Sequence, residues 1–90
     1  MTKTKVRKVL ALYRKVFKNS FVPEKKFSED EAPFYDEQAL AHCHATIAEM
    51  EIFLKEGRMD EVFRWLGFIQ GCLWTAGLYT LEELKNHSRP

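Results

Sequence analysis

The stretch Phe63-Arg64-Trp65-Leu66-Gly67-Phe68-Ile69-Gln70-Gly71 limits this chain more than any other, because it is too apolar to lie bare in water. Together with Val62, Cys72, Leu73 and Trp74 it predicts a helix from about Glu61 to Ala76 whose apolar residues cover most of the circumference. A helix of that kind is buried on several sides. A 90-residue chain has room for one domain, and a domain of this size hides only roughly 60–65% of its unfolded surface. It lacks the material to bury such a helix by itself, so self-association is the simplest solution. Gly67 and Gly71 sit four apart, with Thr75 four further on, and a stripe of small residues lets another backbone come close. Glycine inside a helix costs about 1 kcal/mol relative to alanine, so two of them imply a compensating contact, either inside the subunit or with another. Trp65, Gly67, Phe68, Gly71 and Trp74 are therefore the candidate oligomer interface.

The remaining segments also read as helices, and the fold class is all-α in a single domain. Residues 1–19 form a basic helix in which Val6, Val9, Leu10, Tyr13, Val16 and Phe17 share one face. Residues 20–35 are a linker with Pro23, Pro33 and the rings of Phe21, Phe27, Phe34 and Tyr35. Four rings in a linker predict that it is ordered against the helices, and Ser28 with Glu31 suggests a capped short turn. Residues 36–78 form a long antiparallel hairpin. Its first arm, from Asp36 to Glu56, carries the seam Leu40, Cys43, Ile47, Met50 and Leu54, closed by Gly57. Asp60 is expected to cap the second arm. A turn between 57 and 58 pairs positions summing to about 115, which puts Cys43 and Cys72 at the same depth as two small buried side chains. Residues 80–88 hold a short C-terminal helix opened by the capping box Thr80-Leu81-Glu82-Glu83.

A net charge of +1 hides strong segregation. Residues 1–26 hold nine Lys/Arg against Glu24 alone, a net of +8; residues 27–62 hold ten acids against Lys55 and Arg58, a net of −8. Either the halves complement each other, or the basic part meets an anionic ligand. Tyr13 on the basic helix, with Lys25 and Lys26 beyond Pro23, offers a ring for a base and ammonium groups for phosphate; Tyr13 equally fits the apolar stripe. Arg64 is the one cation between Arg58 and Lys85. It either pairs with Asp60, Glu61 or Glu49, or serves as an anion site where several copies converge.

Catalytic and metal chemistry finds little footing. His42-Cys43-His44 are adjacent on a helix and point about 100° apart, so they cannot converge on one ion. Cys72 has no histidine nearby in sequence, the neighbouring carboxylates read as a solvated face, and there is no phosphate-binding glycine loop. The expectation is a protein that is not an enzyme and uses no metal or cofactor. With no apolar run after the charged start and none of about 20 residues elsewhere, it is expected to stay in the cytoplasm, away from membranes.

A short N-terminal helix with a tyrosine, a linker with a lysine, and a hairpin whose second arm carries Arg64-Trp65-Leu66 together resemble the small anti-CBASS sponge proteins of tailed phages. These share a hairpin with some anti-Thoeris sponges. The closing run from Trp65 to Gly71 and from Tyr79 to His87 is similar to small phage proteins. The resemblance implies a non-enzymatic homo-oligomer, typically a hexamer, that sequesters cyclic oligonucleotide immune signals in the cytoplasm of an infected bacterial host. It implies Tyr13 as the stacking ring for a cyclic dinucleotide and Lys26 or Lys25 as the phosphate lysine. Arg64 corresponds to the hairpin arginine that some members use for cyclic trinucleotides. The rival readings are a helical adaptor or inhibitor binding a host protein, and a nucleic-acid binder using the basic helix.

Overall fold

The computed structural model describes residues 1–89 and contains four helices and, among those residues, no strand. They are α1 (Lys3–Asn19), α2 (Asp36–Glu56), α3 (Met59–Thr75) and α4 (Leu81–His87). Each expected helix is present, with ends within two residues of those read from the sequence. No described helix is long and apolar enough to cross a membrane.

The helix ends follow from local chemistry. Thr2 caps α1, its hydroxyl oxygen accepting the Lys5 N–H at 3.1 Å. Gln38 reaches back over the start of α2, accepting the N–H groups of Phe34 (2.6 Å) and Tyr35 (3.0 Å). Gly57 stops α2 at φ 73°, a left-handed turn favoured by glycine. The α4 box is complete: Thr80 Oγ1 accepts Glu83 N–H at 3.1 Å, and Glu83 Oε1 accepts Thr80 N–H at 3.0 Å. Asp60 is not the α3 cap. The turn is two residues tight, so α3 resumes at Met59 with Arg58 before it, and Asp60 and Glu61 fall in the first turn. There they still favour the positive helix end.

The chain reverses at Gly57-Arg58, and α2 and α3 pack against each other while α1 lies on α2. The core is a single cluster. Val6, Leu10, Tyr13 and Phe17 come from α1, Cys43, Ile47, Met50 and Leu54 from α2, Val62, Leu66, Ile69 and Leu73 from α3, and Leu84 from α4. Fully burying an aliphatic or aromatic side chain is worth about 1.5–3 kcal/mol, so this seam carries most of the stability. Two ion pairs link the basic and acidic halves, Arg14–Glu51 at 3.2 Å and Lys26–Glu49. Charge complementation inside the chain is therefore real, but it engages only two of the nine basic residues before Phe27.

Within one chain α3 is buried along one face only. Its buried residues are Val62, Leu66, Ile69 and Leu73, spaced four, three and four apart, which make a single stripe. Phe63, Phe68 and Trp74 stay 41%, 45% and 52% exposed. One chain does not wrap the whole helix: α2, with contacts from α1 and α4 at Gln70, leaves the face of Phe63, Phe68 and Trp74 open. A Cβ added at Gly67 or Gly71 would meet nothing within 4 Å. The glycine stripe thus serves no close packing inside the subunit.

The linker is anchored unevenly. Phe17 O accepts Val22 N–H at 2.9 Å and Ala41 O accepts Lys25 N–H at 3.2 Å, while His44 Nδ1 donates to Val22 O at 2.8 Å. Of the four linker rings only Phe27 is partly buried; Phe21, Phe34 and Tyr35 are exposed, Phe34 by 90%. The Ser28–Glu31 feature is a single turn, with Glu31 N–H bonded to Ser28 O at 3.1 Å.

Candidate functional site

Where the linker crosses α2 and α3 it leaves a cleft of about 510 Å³, walled by Phe27, His42, Trp65 and Phe68 and rimmed by Ser28, Glu29 and Glu31. The volume lies in the range of small-molecule sites. The rings support each other: Trp65 and Phe68 meet edge to face at 5.4 Å, and His42 stands 6.4 Å from both Phe68 and Phe27. Edge-to-face pairs hold rings in fixed orientation as well as adding contact.

His42 is the polar centre of these walls. Its Nδ1 accepts the backbone N–H of Phe27 at 3.0 Å, so the ring proton sits on Nε2, which has no partner among the described residues. Burial first, then the neighbouring Lys26 charge, hold its pKa below the ordinary 6.5. The ring is therefore neutral at pH 7, offering one N–H donor among aromatic faces.

The rim itself is acidic, and two lysines lie close outside it. Lys25 Nζ lies 5.5 Å from the Phe27 ring centre, and Lys26 is ion-paired with Glu49. On the linker side, Ser28 Oγ lies 2.6 Å from Asp30 Oδ1 and 2.8 Å from Glu31 Oε1. These bonds hold both carboxyls below their ordinary pKa. A phosphate would be repelled at the acidic lip and attracted toward the lysines beside it.

The structure thus brings Lys25, Lys26, Trp65 and Phe68 to one neighbourhood. Tyr13 is not there. Its ring is 0% exposed and its hydroxyl is spent on Gln70 and His87. Burial pushes its pKa up to about 12, against the lowering effect of the Gln70 bond. A stacking role for Tyr13 would require opening the core, whose apolar stripe it completes. Arg64 is exposed on α3, one turn before Phe68, and pairs with Glu61 Oε2 at 3.7 Å; it does not line the cleft. Of the interface candidates, Gly67, Phe68, Gly71 and Trp74 line a second, open groove of about 450 Å³ between α3 and the start of α2. Trp65 belongs to the cleft, and Phe68 to both.

Phe27 and His42 escaped the sequence reading of the site. The signal was an aromatic directly after Lys25-Lys26 and a histidine flanking the Leu40–Cys43 seam, but their meeting depends on the path of the linker. No known protein family, curated protein or solved structure matches this chain.

Proposed function

We propose that this chain is a non-catalytic binding protein that sequesters a cyclic oligonucleotide as a homo-oligomer in the cytoplasm of an infected bacterial host. The observation that carries the reading is the aromatic cleft of Phe27, His42, Trp65 and Phe68, with the Lys25 ammonium just outside its lining, 5.5 Å from the Phe27 ring centre. A base between such rings gains about 1–3 kcal/mol from stacking, and His42 Nε2 can donate to a ring nitrogen or carbonyl of that base. The phosphate then meets Lys25 and Lys26. Freeing Lys26 from Glu49 costs little, because an exposed ion pair is worth about 0–1 kcal/mol, less than a charge-assisted phosphate bond returns. In this reading the base-binding rings are those of the cleft, and Tyr13 is a core residue.

Self-association belongs to the same reading. Phe63, Phe68 and Trp74 flank two glycines with open space above them, which is a face suited to another helix. Phe68 would then touch both ligand and partner, so that assembly and binding support each other. The mechanism is depletion: bound signal is withheld from its effector and released intact. Titration calorimetry with a panel of cyclic di- and trinucleotides tests the reading, followed by denaturation and recovery of the nucleotide. Intact nucleotide is expected; a cleaved product would make the protein a phosphodiesterase.

The adaptor reading draws on the same exposed α3 face. A host protein seated there would bind in the presence of alanine at Lys25 and Lys26, whereas nucleotide binding would be lost.

A further inference from the structure

The charge segregation along the chain is only partly used up inside it. Helix α1 contains no acidic residue, and among the described residues Arg14 alone of its cations makes an ion pair. The face of α1 opposite the buried Val6, Leu10, Tyr13 and Phe17 is bare, and it carries Lys8, Lys15 and Lys18 around Ala11 and Leu12. Lys8 and Lys15 are two turns apart, so both ammonium groups and the Leu12 side chain can meet one surface. The opposite charge lies on residues 29–37. Glu29, Asp30, Glu31, Asp36 and Glu37 are all exposed, and none makes an ion pair among the described residues. No lysine or arginine occurs between Phe27 and Leu54. Among these acids stand the rings of Phe34 and Tyr35, exposed as well. Aromatic rings are enriched where proteins touch, and a ring left bare in water gains from being covered.

We propose that the outer face of α1 docks onto the acidic, ring-bearing stretch 29–37 of a second copy of this chain. Leu12 and the lysine stems then cover Phe34 and Tyr35, while the ammonium groups of Lys8, Lys15 and Lys18 meet carboxylates and ring faces. A second copy is the occupant that the charges select. Every copy exposes both patches, they are opposite in sign, and neither is neutralised within the chain. Because the two patches differ, the contact is head-to-tail: each copy gives α1 to one neighbour and receives α1 from another. Exposed ion pairs are individually weak, so the contact adds register and salt sensitivity to an assembly whose apolar burial comes from the α3 face. In that respect it rests on the self-association of the proposed function, though on no ligand. Since Glu29 and Glu31 also rim the aromatic cleft, docking neutralises the lip that repels phosphate.

Analytical sedimentation of the wild-type protein and of two charge-reversed variants tests the contact without any nucleotide. Lys8→Glu with Lys15→Glu makes α1 repel the acidic stretch; Glu29→Lys with Glu37→Lys makes the stretch repel α1. Every substituted side chain is exposed, and circular dichroism checks that the helices remain. Each variant alone should associate about tenfold more weakly than wild type. An equimolar mixture should recover association, because each variant supplies the charge the other has lost. Wild-type association should also weaken as salt is raised from about 0.05 M to about 0.5 M, a measurement that stands even where a variant does not fold. A wild type that assembles regardless of salt and of both reversals overturns this contact and leaves the nucleotide reading standing. A monomeric wild type, or a mixture no better than its components, overturns it too. So does a Lys8→Glu, Lys15→Glu protein that assembles normally but no longer retains a long DNA duplex bound by wild type, which would give α1 to nucleic acid.

Discussion

The Tyr13 hydroxyl lies 2.9 Å from Nδ1 of His87, a bond that spans 74 residues and ties α1 to α4. Gln70 fixes its direction. The Gln70 amide donates to the Tyr13 oxygen at 3.1 Å and to Ser88 Oγ at 3.0 Å, so the phenolic proton goes to the histidine. The rings of Tyr13, Tyr79 and His87 pack round this bond at centroid distances of 4.8 to 6.0 Å. The last helix is too short to hold itself, since isolated helices under about 12 residues are marginal in water. This network and Leu84 hold it.

Tyr13→Phe keeps the ring and removes the hydroxyl. It strips His87 Nδ1 of its partner and leaves Gln70 with Ser88 alone. We expect a loss of about 1–3 kcal/mol in urea unfolding, with nucleotide affinity unchanged. A large loss of affinity in a folded Tyr13→Phe protein would be hard to reconcile with a core role.

Acid should weaken the fold in a defined window. Burial lowers the His87 pKa from its ordinary 6.5, opposed by the Glu83 carboxylate and helped by Lys5, and His42 is lowered by burial and Lys26. The unfolded chain therefore takes up protons near pH 6.5 while the folded chain still resists them. Stability is full above that pH and falls as pH drops through it toward the folded values. Urea midpoints between pH 8 and about pH 5 should decline, and His87→Gln should flatten the decline. The carboxyls of Asp30, Glu31 and Glu83, whose pKa values are also lowered, lose their contribution only at more acid pH.

Much of the fold is legible in the sequence, because helix ends are local chemistry: Gly57 and the Thr80–Glu83 box act within a few residues of themselves. Counting outward from the turn puts Cys43 and Cys72 on facing positions as two buried thiols, but only Cys43 is buried, and Cys72 is half-buried. The site is less legible. Tyr13 is the same residue whether it stacks on a ligand or fills a core, and only the packing of α4 decides. The cleft depends on a 16-residue linker whose course is set by single bonds, such as Phe27 N–H to His42, that no periodicity announces. The apolar circumference of α3 was visible, but how much of it one chain covers was not, since that depends on where α1 and α4 lie.

Gly67 and Gly71 separate the two roles of that helix. Because an added Cβ meets nothing at either position, alanine should raise the stability of the isolated chain by about 1 kcal/mol per site. If this face seats a second copy, the same substitutions should weaken self-association, and Gly67→Leu should abolish it. Light scattering over a concentration series, with urea unfolding at low concentration, reads both effects.

Trp65→Ala removes one wall of the cleft and should cost about 1–3 kcal/mol of binding, roughly five- to 150-fold in Kd. Lys26→Ala should also weaken binding while changing stability by less than about 1 kcal/mol, because its pair with Glu49 is exposed.

The most direct measurement is titration calorimetry of the wild-type protein against cyclic di- and trinucleotides, repeated with Trp65→Ala and Lys26→Ala. Saturable binding of at least one cyclic oligonucleotide, weakened in both variants, is what the aromatic cleft and the lysines beside it lead us to expect. No heat with any member of the panel, or binding indifferent to both substitutions, would contradict the account.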